Sequence, residues 1–238
     1  MQSKAILAAA GRCLGGFMLV WASAAAAAGG TPDRLRQQEI AQCLPQEIAT
    51  WRDGADRPAM APQLRWVYRH DGAPAWFDAA TVLAAISRAA EAWSACGTTG
   101  QVALAMPGTV LADDVVLVQW SDADSRGNFG LASLGARKLS LGSAAFALLN
   151  SRNPGYPAGD TLQMVLSHEM GHFLGLMAHS RRCVDVMSYY VNGQGEHCFT
   201  RDGRMPGGST DYRALLPTAC DIERCRALNR PALVSRQP

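Results

Sequence analysis

The chain has 238 residues, 48% hydrophobic and 18% charged, which suits a single globular domain with a real core. Its formal charge of +2 comes from Lys4 and Arg12; without the first 28 residues, Lys plus Arg falls from 22 to 20 against 20 Asp plus Glu. A neutral chain offers no electrostatic footprint for nucleic acid or an anionic membrane, so neither partner class is expected.

Residues 1–28 have the form of a secretory signal peptide: positive charges, an apolar run, then the small-x-small stretch Ala26-Ala27-Ala28. Leu14 to Ala28 is shorter than the roughly 20 apolar residues of a spanning helix. No stable membrane anchor is therefore expected after cleavage, and the chain is expected to be secreted or periplasmic. Six cysteines follow the signal: Cys43, Cys96, Cys183, Cys198, Cys220 and Cys225. An even number in an exported chain reads as disulfides, with the pairing left open.

Residues 29–61 are polar, with scattered Pro and Gly, and read as a loose N-terminal extension. Residues 65–70 alternate as a strand does. From Asp78 to about residue 95, Val82, Leu83, Ile86, Ala89, Ala90 and Trp93 share a helical face that Gly97 ends. Short strands are expected at 101–106 and 115–120, a loop at 121–128, an edge strand near 129–134 and a further strand at 138–142. Asp160 and Gln163 resemble a capping box opening a helix that runs to Gly175. An irregular region, 176–216, precedes a last helix at 218–229. The organisation expected is a signal peptide (1–28), an extension (29–61), a catalytic domain (62–230) and a tail (231–238).

The helix ending at Gly175 carries "LSHEMGHFLGLMAHS" (166–180). His168 and His172 are four apart, so their imidazoles share one helix face and can share one zinc ion. Glu169 lies off that face, within reach of a water on the metal. A zinc-bound water with a pKa lowered toward about 7 needs a base, and Glu169 is the candidate general base and then acid. A surface helix that happens to be rich in histidine would leave Gly175, the following histidine and the export signal unexplained.

"HEMGHFLGL", the histidine after it and "DVMSYY" resemble the metzincin zinc endopeptidases, whose pattern is H-E-x-x-H-x-x-G-x-x-H with a downstream methionine turn. The likeness is to matrixins of the secreted bacterial type, and it covers about residues 62–230. It implies an α+β fold: a twisted mixed β-sheet of about five strands, an active-site helix, a first-half helix and a C-terminal helix. It implies one catalytic Zn²⁺ held by His168, His172 and a third histidine. Here that residue is displaced by one, since Ala178 occupies the expected place and His179 follows; Asp185 and His197 are rivals, and His70 reads as an ordinary strand residue. Met187 corresponds to the methionine of the turn. Tyr189 corresponds to a tyrosine of astacins and serralysins that steadies the tetrahedral oxyanion, whereas Ser180, after the third histidine, is matrixin-like. No cysteine-switch segment surrounds Cys43.

The expected activity is hydrolysis of peptide bonds by a monomer acting on a protein or peptide substrate, which would add as an antiparallel strand along residues 130–134. A non-catalytic zinc-containing binding module of the same fold is the alternative, and a zinc hydrolase using Glu223 as third ligand is a third. Structural Ca²⁺ at Asp122 and Asp124 is unsupported, because their spacing matches no calcium loop.

Overall fold

The computed structural model describes residues 31–106, 110–112, 114–206 and 211–230. The expected signal peptide and C-terminal tail lie outside them. In chain order the elements are α1 (Thr31–Ala41), β1 (Gln63–Tyr68), α2 (Ala79–Ser94), β2 (Thr99–Leu104), β3 (Val115–Trp120), α3 (Asp122–Ser125), β4 (Gly130–Ser133), β5 (Lys138–Leu141), α4 (Ser143–Arg152), α5 (Ala158–Phe173) and α6 (Ala219–Asn229).

The strands form one mixed sheet in the order β2-β1-β3-β5-β4. The pairs β1–β2, β1–β3 and β3–β5 are parallel, and the β4–β5 hairpin is antiparallel. β4 is thus an edge strand. β3 is buried along most of its length, as a central parallel strand with both faces covered must be.

α2 starts where the Asp78 carboxylate accepts the Thr81 N–H at 2.7 Å. Its residues Val82, Ala85, Ile86, Ala89, Ala90 and Trp93, spaced three and four apart, are buried. α5 is buried almost all round, because α2 packs on one side and β4 on another. The two helices are also pinned by a hydrogen bond from Trp93 Nε1 to the Ser167 carbonyl, 2.9 Å. A second aromatic group, Phe77, Trp120, Phe129 and Phe146, fills the far end of the core.

Several local expectations need correction. α5 begins at Ala158 with Pro157 at its N-cap and no side-chain cap, so Asp160 and Gln163 form no capping box. Asp160 instead lies in the first turn, where its charge complements the helix dipole. α4 lies in a stretch for which no helix was expected; its only buried residue is Phe146, so it carries no apolar period to detect. The extension is not loose: α1 is helical, and residues 49–60 hydrogen-bond along residues 173–181.

All six cysteines after the expected signal are paired, Cys43–Cys220, Cys96–Cys225 and Cys183–Cys198. Two of these bridges end on α6, which ties the N-terminal segment and the end of α2 to one helix. No described helix is long and apolar enough to cross a membrane.

Candidate metal centre

α5 presents His168 and His172 one turn apart, with ring centroids separated by 5.1 Å. The helix then ends in a Schellman turn: Gly175 N–H bonds to the His172 carbonyl and Leu176 N–H to the Gly171 carbonyl, both at 3.1 Å. Gly175 has φ +98°, and a Cβ there would strike the Arg57 carbonyl, so the position needs glycine on two counts. The reversed chain brings His179 back to 5.1 and 5.2 Å from the two helical rings. Their ligand nitrogens lie within 4.8 Å of one another.

Each Nδ1 has a partner that can only accept. His168 meets the Val186 carbonyl at 2.7 Å, His172 the Leu176 carbonyl at 2.8 Å, and His179 an Asp53 carboxylate oxygen at 2.7 Å. Each Nδ1 therefore carries hydrogen and each Nε2 keeps its lone pair. Burial, then repulsion among the rings, holds His168 well below the usual imidazole range and His172 down to about 4. Burial also lowers His179, although Asp53 opposes it. Three neutral imidazoles with converging lone pairs are a donor set suited to zinc.

Glu169, on the β4 side of α5, is buried. One of its oxygens accepts the Ala132 N–H at 2.8 Å. Burial pushes its carboxyl up to about 7, and the Ala132 N–H only partly offsets this. Met187 packs its sulfur against Gly171 beneath the helix, beside the Trp93 ring. Gly171 gives up helix propensity of about 1 kcal/mol relative to Ala, and the close approach of Met187 is what that concession allows.

Tyr189 is adjacent to the cluster, its ring 4.4 Å from that of His179 and parallel to Trp51 at 6.3 Å. Its hydroxyl donates to Asp53. Burial and then Asp53 raise its pKa above the usual phenol range.

The rival ligands lie elsewhere. Asp185 is buried against Ser180 and Thr218, 2.6 Å from each hydroxyl. His197 is exposed in a bridge with Val191. Glu223 is exposed on α6, and His70 bonds to Tyr68 at 2.6 Å. Asp122 accepts the Ala144 N–H and Asp124 a Gln119 amide, so both have protein partners, and neither joins a group of three potential ligands among the described residues.

Sequence reasoning missed Asp53 and Asp56. Asp56 accepts the N–H groups of Met177 and Ala178, and Asp53 that of His179, all at 2.8–2.9 Å. Donors from Tyr189 and His179 outweigh burial and keep Asp53 below the usual carboxylate range. "WRDGAD" (51–56) carries no motif, and its target is more than 120 residues away. A polar stretch with two carboxylates flanking a glycine was the one available signal.

No protein-family model and no curated protein match this chain. It is similar to a solved structure described as "GM1 bound form of the ECX AB5 holotoxin", at 14% identity and a TM-score of 0.46, over 80% of this chain and 92% of that one. These findings overturn the expected metzincin, matrixin-like membership and the metzincin-like fold class. No family match supports either, and the solved structure's description names a toxin. The physical reason is that the resemblance rested on one short motif, which sets a local constellation, and on an order of strands and helices that many mixed folds share. At that similarity the structural likeness carries no argument of its own. What stands is a mixed five-stranded sheet with helices and three disulfides.

Proposed function

We propose that this chain is a zinc-dependent endopeptidase, with His168, His172 and His179 as metal ligands and Glu169 as general base and then acid. The observation that carries the reading is Glu169 itself. It is the one buried charged side chain between residues 63 and 173 among the described residues, and it follows His168 directly on α5. Among the described residues its carboxylate has one hydrogen-bond partner, the Ala132 N–H. Burying a carboxylate with so little compensation costs stability, which argues for a chemical use.

A bound zinc ion would supply Lewis acidity, polarising a substrate carbonyl and acidifying water. Glu169 takes a proton from the attacking water and delivers it to the departing amine nitrogen, which regenerates the carboxylate. The Ala132 N–H that holds Glu169 belongs to the outward edge of β4. A substrate peptide adding to that edge as an antiparallel strand would therefore lie beside the base. A hollow of about 350 Å³ lined by His172, Leu134, Gly135 and Met60 adjoins the cluster. The three disulfides support an oxidising location, secreted or periplasmic.

A non-catalytic zinc-binding module is the second reading, and Glu169 discriminates, since such a module gains nothing from a buried carboxylate beside its metal. The test is Glu169→Gln, followed by metal analysis and cleavage of a peptide library. Zinc content should be unchanged and hydrolysis about 10²–10⁴-fold slower. Equal rates in the two proteins would exclude Glu169 as the base. Zinc binding without any cleavage by the wild type would favour the binding module.

A further inference from the structure

Residues 49–60 form a strap along the chain that carries the third histidine. Met60 N–H bonds to the Phe173 carbonyl and Arg57 N–H to that of Gly175, both at 3.0 Å. Trp51 N–H bonds to the His179 carbonyl and Arg181 N–H to that of Ala49, both at 2.9 Å. Between these contacts two carboxylates capture three consecutive amides, those of residues 177, 178 and 179. The irregular chain that returns to His179 has amides to satisfy, and the strap satisfies them with side chains.

Asp53 does more than bind a loop amide. One oxygen accepts the His179 N–H at 2.9 Å and the other the Nδ1–H of the same residue at 2.7 Å. A grip at both backbone and ring fixes the side-chain torsions as well as the tautomer. The Tyr189 hydroxyl donates to that second oxygen, which limits rotation of the carboxylate. His168 and His172 have backbone carbonyls as their Nδ1 partners; only His179 has an anion. A carboxylate behind an imidazole orients the ring and raises its strength as a ligand.

We propose that Asp53 is a positioning residue for the metal centre: it aims Nε2 of His179 at the ion, and the strap is thereby part of the site. This rests on the reading of His179 as a metal ligand, and not on the peptidase activity. The test measures the zinc dissociation constant by chelator competition for wild type, Asp53→Ala and Asp53→Asn, with thermal unfolding to confirm folding. Asp53→Ala should bind zinc about 10–100-fold more weakly. Asp53→Asn loses the charge and one of the two acceptors but keeps an oxygen that can still face the Nδ1–H, and should recover part of that loss. Both variants binding within about twofold of wild type would overturn the proposal, since a second-sphere carboxylate in this role moves affinity by more than that. If Asp53→Ala does not fold, Asp53→Asn decides: zinc weaker by about threefold or more supports the role, and wild-type affinity overturns it. A wild type without zinc affinity would overturn the ligand assignment and the proposed function together. A wild type that binds zinc with this dependence on Asp53 yet cleaves no peptide would sink the endopeptidase reading alone.

Discussion

The two sides of the candidate metal centre are held together by different physics. Residues 63–173, the sheet with α2 and α5, have an apolar core in which Glu169 is the sole buried charge among the described residues. The region formed by residues 31–60 and 174–230 buries Glu39, Glu47, Arg182, Asp185, Asp221 and Arg224. Arg182 lies between Glu47 and Asp185 at 3.4 and 3.7 Å, and Arg224 grips Asp56 at 2.5 Å. That region has little secondary structure to satisfy its backbone, so carboxylates and guanidinium groups do so, and disulfides limit the unfolded chain. The first side supplies His168 and His172 by helix periodicity. The second supplies His179 through contacts between distant segments. The cluster therefore stands at the junction of a side that tolerates local change and a side in which each buried charge depends on a particular partner.

The largest effect should come from moving the third histidine. His179→Ala should lose most of its zinc, as should His172→Ala. The comparison sharpens with the double variant Ala178→His with His179→Ala, which keeps the number of histidines. Ala178 is buried, its N–H is taken by Asp56 and its carbonyl by Arg224. A histidine there would face the packed loop side, and zinc tolerates little error in ligand direction. The double variant should stay largely zinc-free by metal analysis. Restored occupancy would mean that the loop side adapts as freely as the helix side.

Backbone substitutions come next. Gly175→Ala places a side chain at positive φ and against the Arg57 carbonyl. Left-handed strain of about 1–2 kcal/mol and overpacking of about 1–3 kcal/mol together predict a loss of about 2–5 kcal/mol in urea unfolding. A loss under about 0.5 kcal/mol, the range of ordinary surface substitutions, would show that strap and turn can part without consequence. Replacing Cys43 and Cys220 by serine removes the bridge that ties the N-terminal segment to α6, which spans 177 residues. A loss of about 2–4 kcal/mol is expected, with weaker zinc retention because the strap carries Asp53. Unchanged zinc affinity in that variant would separate the strap's fold from its role at the metal.

How much was legible follows the same division. The face of α2, its cap at Asp78 and the residues of β3 were readable because each rests on local spacing. His168, Glu169 and His172 were readable for that reason, and Gly175 because a helix end has a local signature. The role of Asp53 was not, since its partner lies 126 residues away and nothing in "WRDGAD" distinguishes it from a solvated turn. α4 was missed because one buried phenylalanine makes no pattern. The disulfide pairing was open for a related reason: cysteine spacing does not encode which loops meet. The family name failed because a local motif was asked to specify a global fold.

A pH-dependent effect tests whether the polar side is also the pH-sensitive one. Asp185 and Asp221 are both buried, with the Thr218 hydroxyl 2.6 Å from one and 3.1 Å from the other. Burial, then the charge of Asp185, raises Asp221; burial raises Asp185 although Arg182 opposes it. Arg224 also lowers both, but burial prevails. The folded pair therefore retains a proton at pH values where an unfolded aspartate, with a pKa of about 3.9, has lost it. A raised folded pKa contributes stability that is full below the unfolded value and is lost as pH rises through the folded one. The window runs from about pH 4 toward neutrality. Glu47, Asp53, Asp56 and Asp211 are shifted down and oppose this at the acid end, so the test must cancel them. Asp221→Asn does so, because it removes one titrating group and keeps an oxygen to accept the Val186 and Thr218 N–H groups. Unfolding free energies of both proteins at several pH values between 4 and 8 give the difference. Wild type should lose ground to the variant as pH rises, by about 1 kcal/mol or more for each unit of retained shift. A difference that does not change with pH would mean that Asp185 and Asp221 share no excess proton, and that the polar side is held by fixed charges alone.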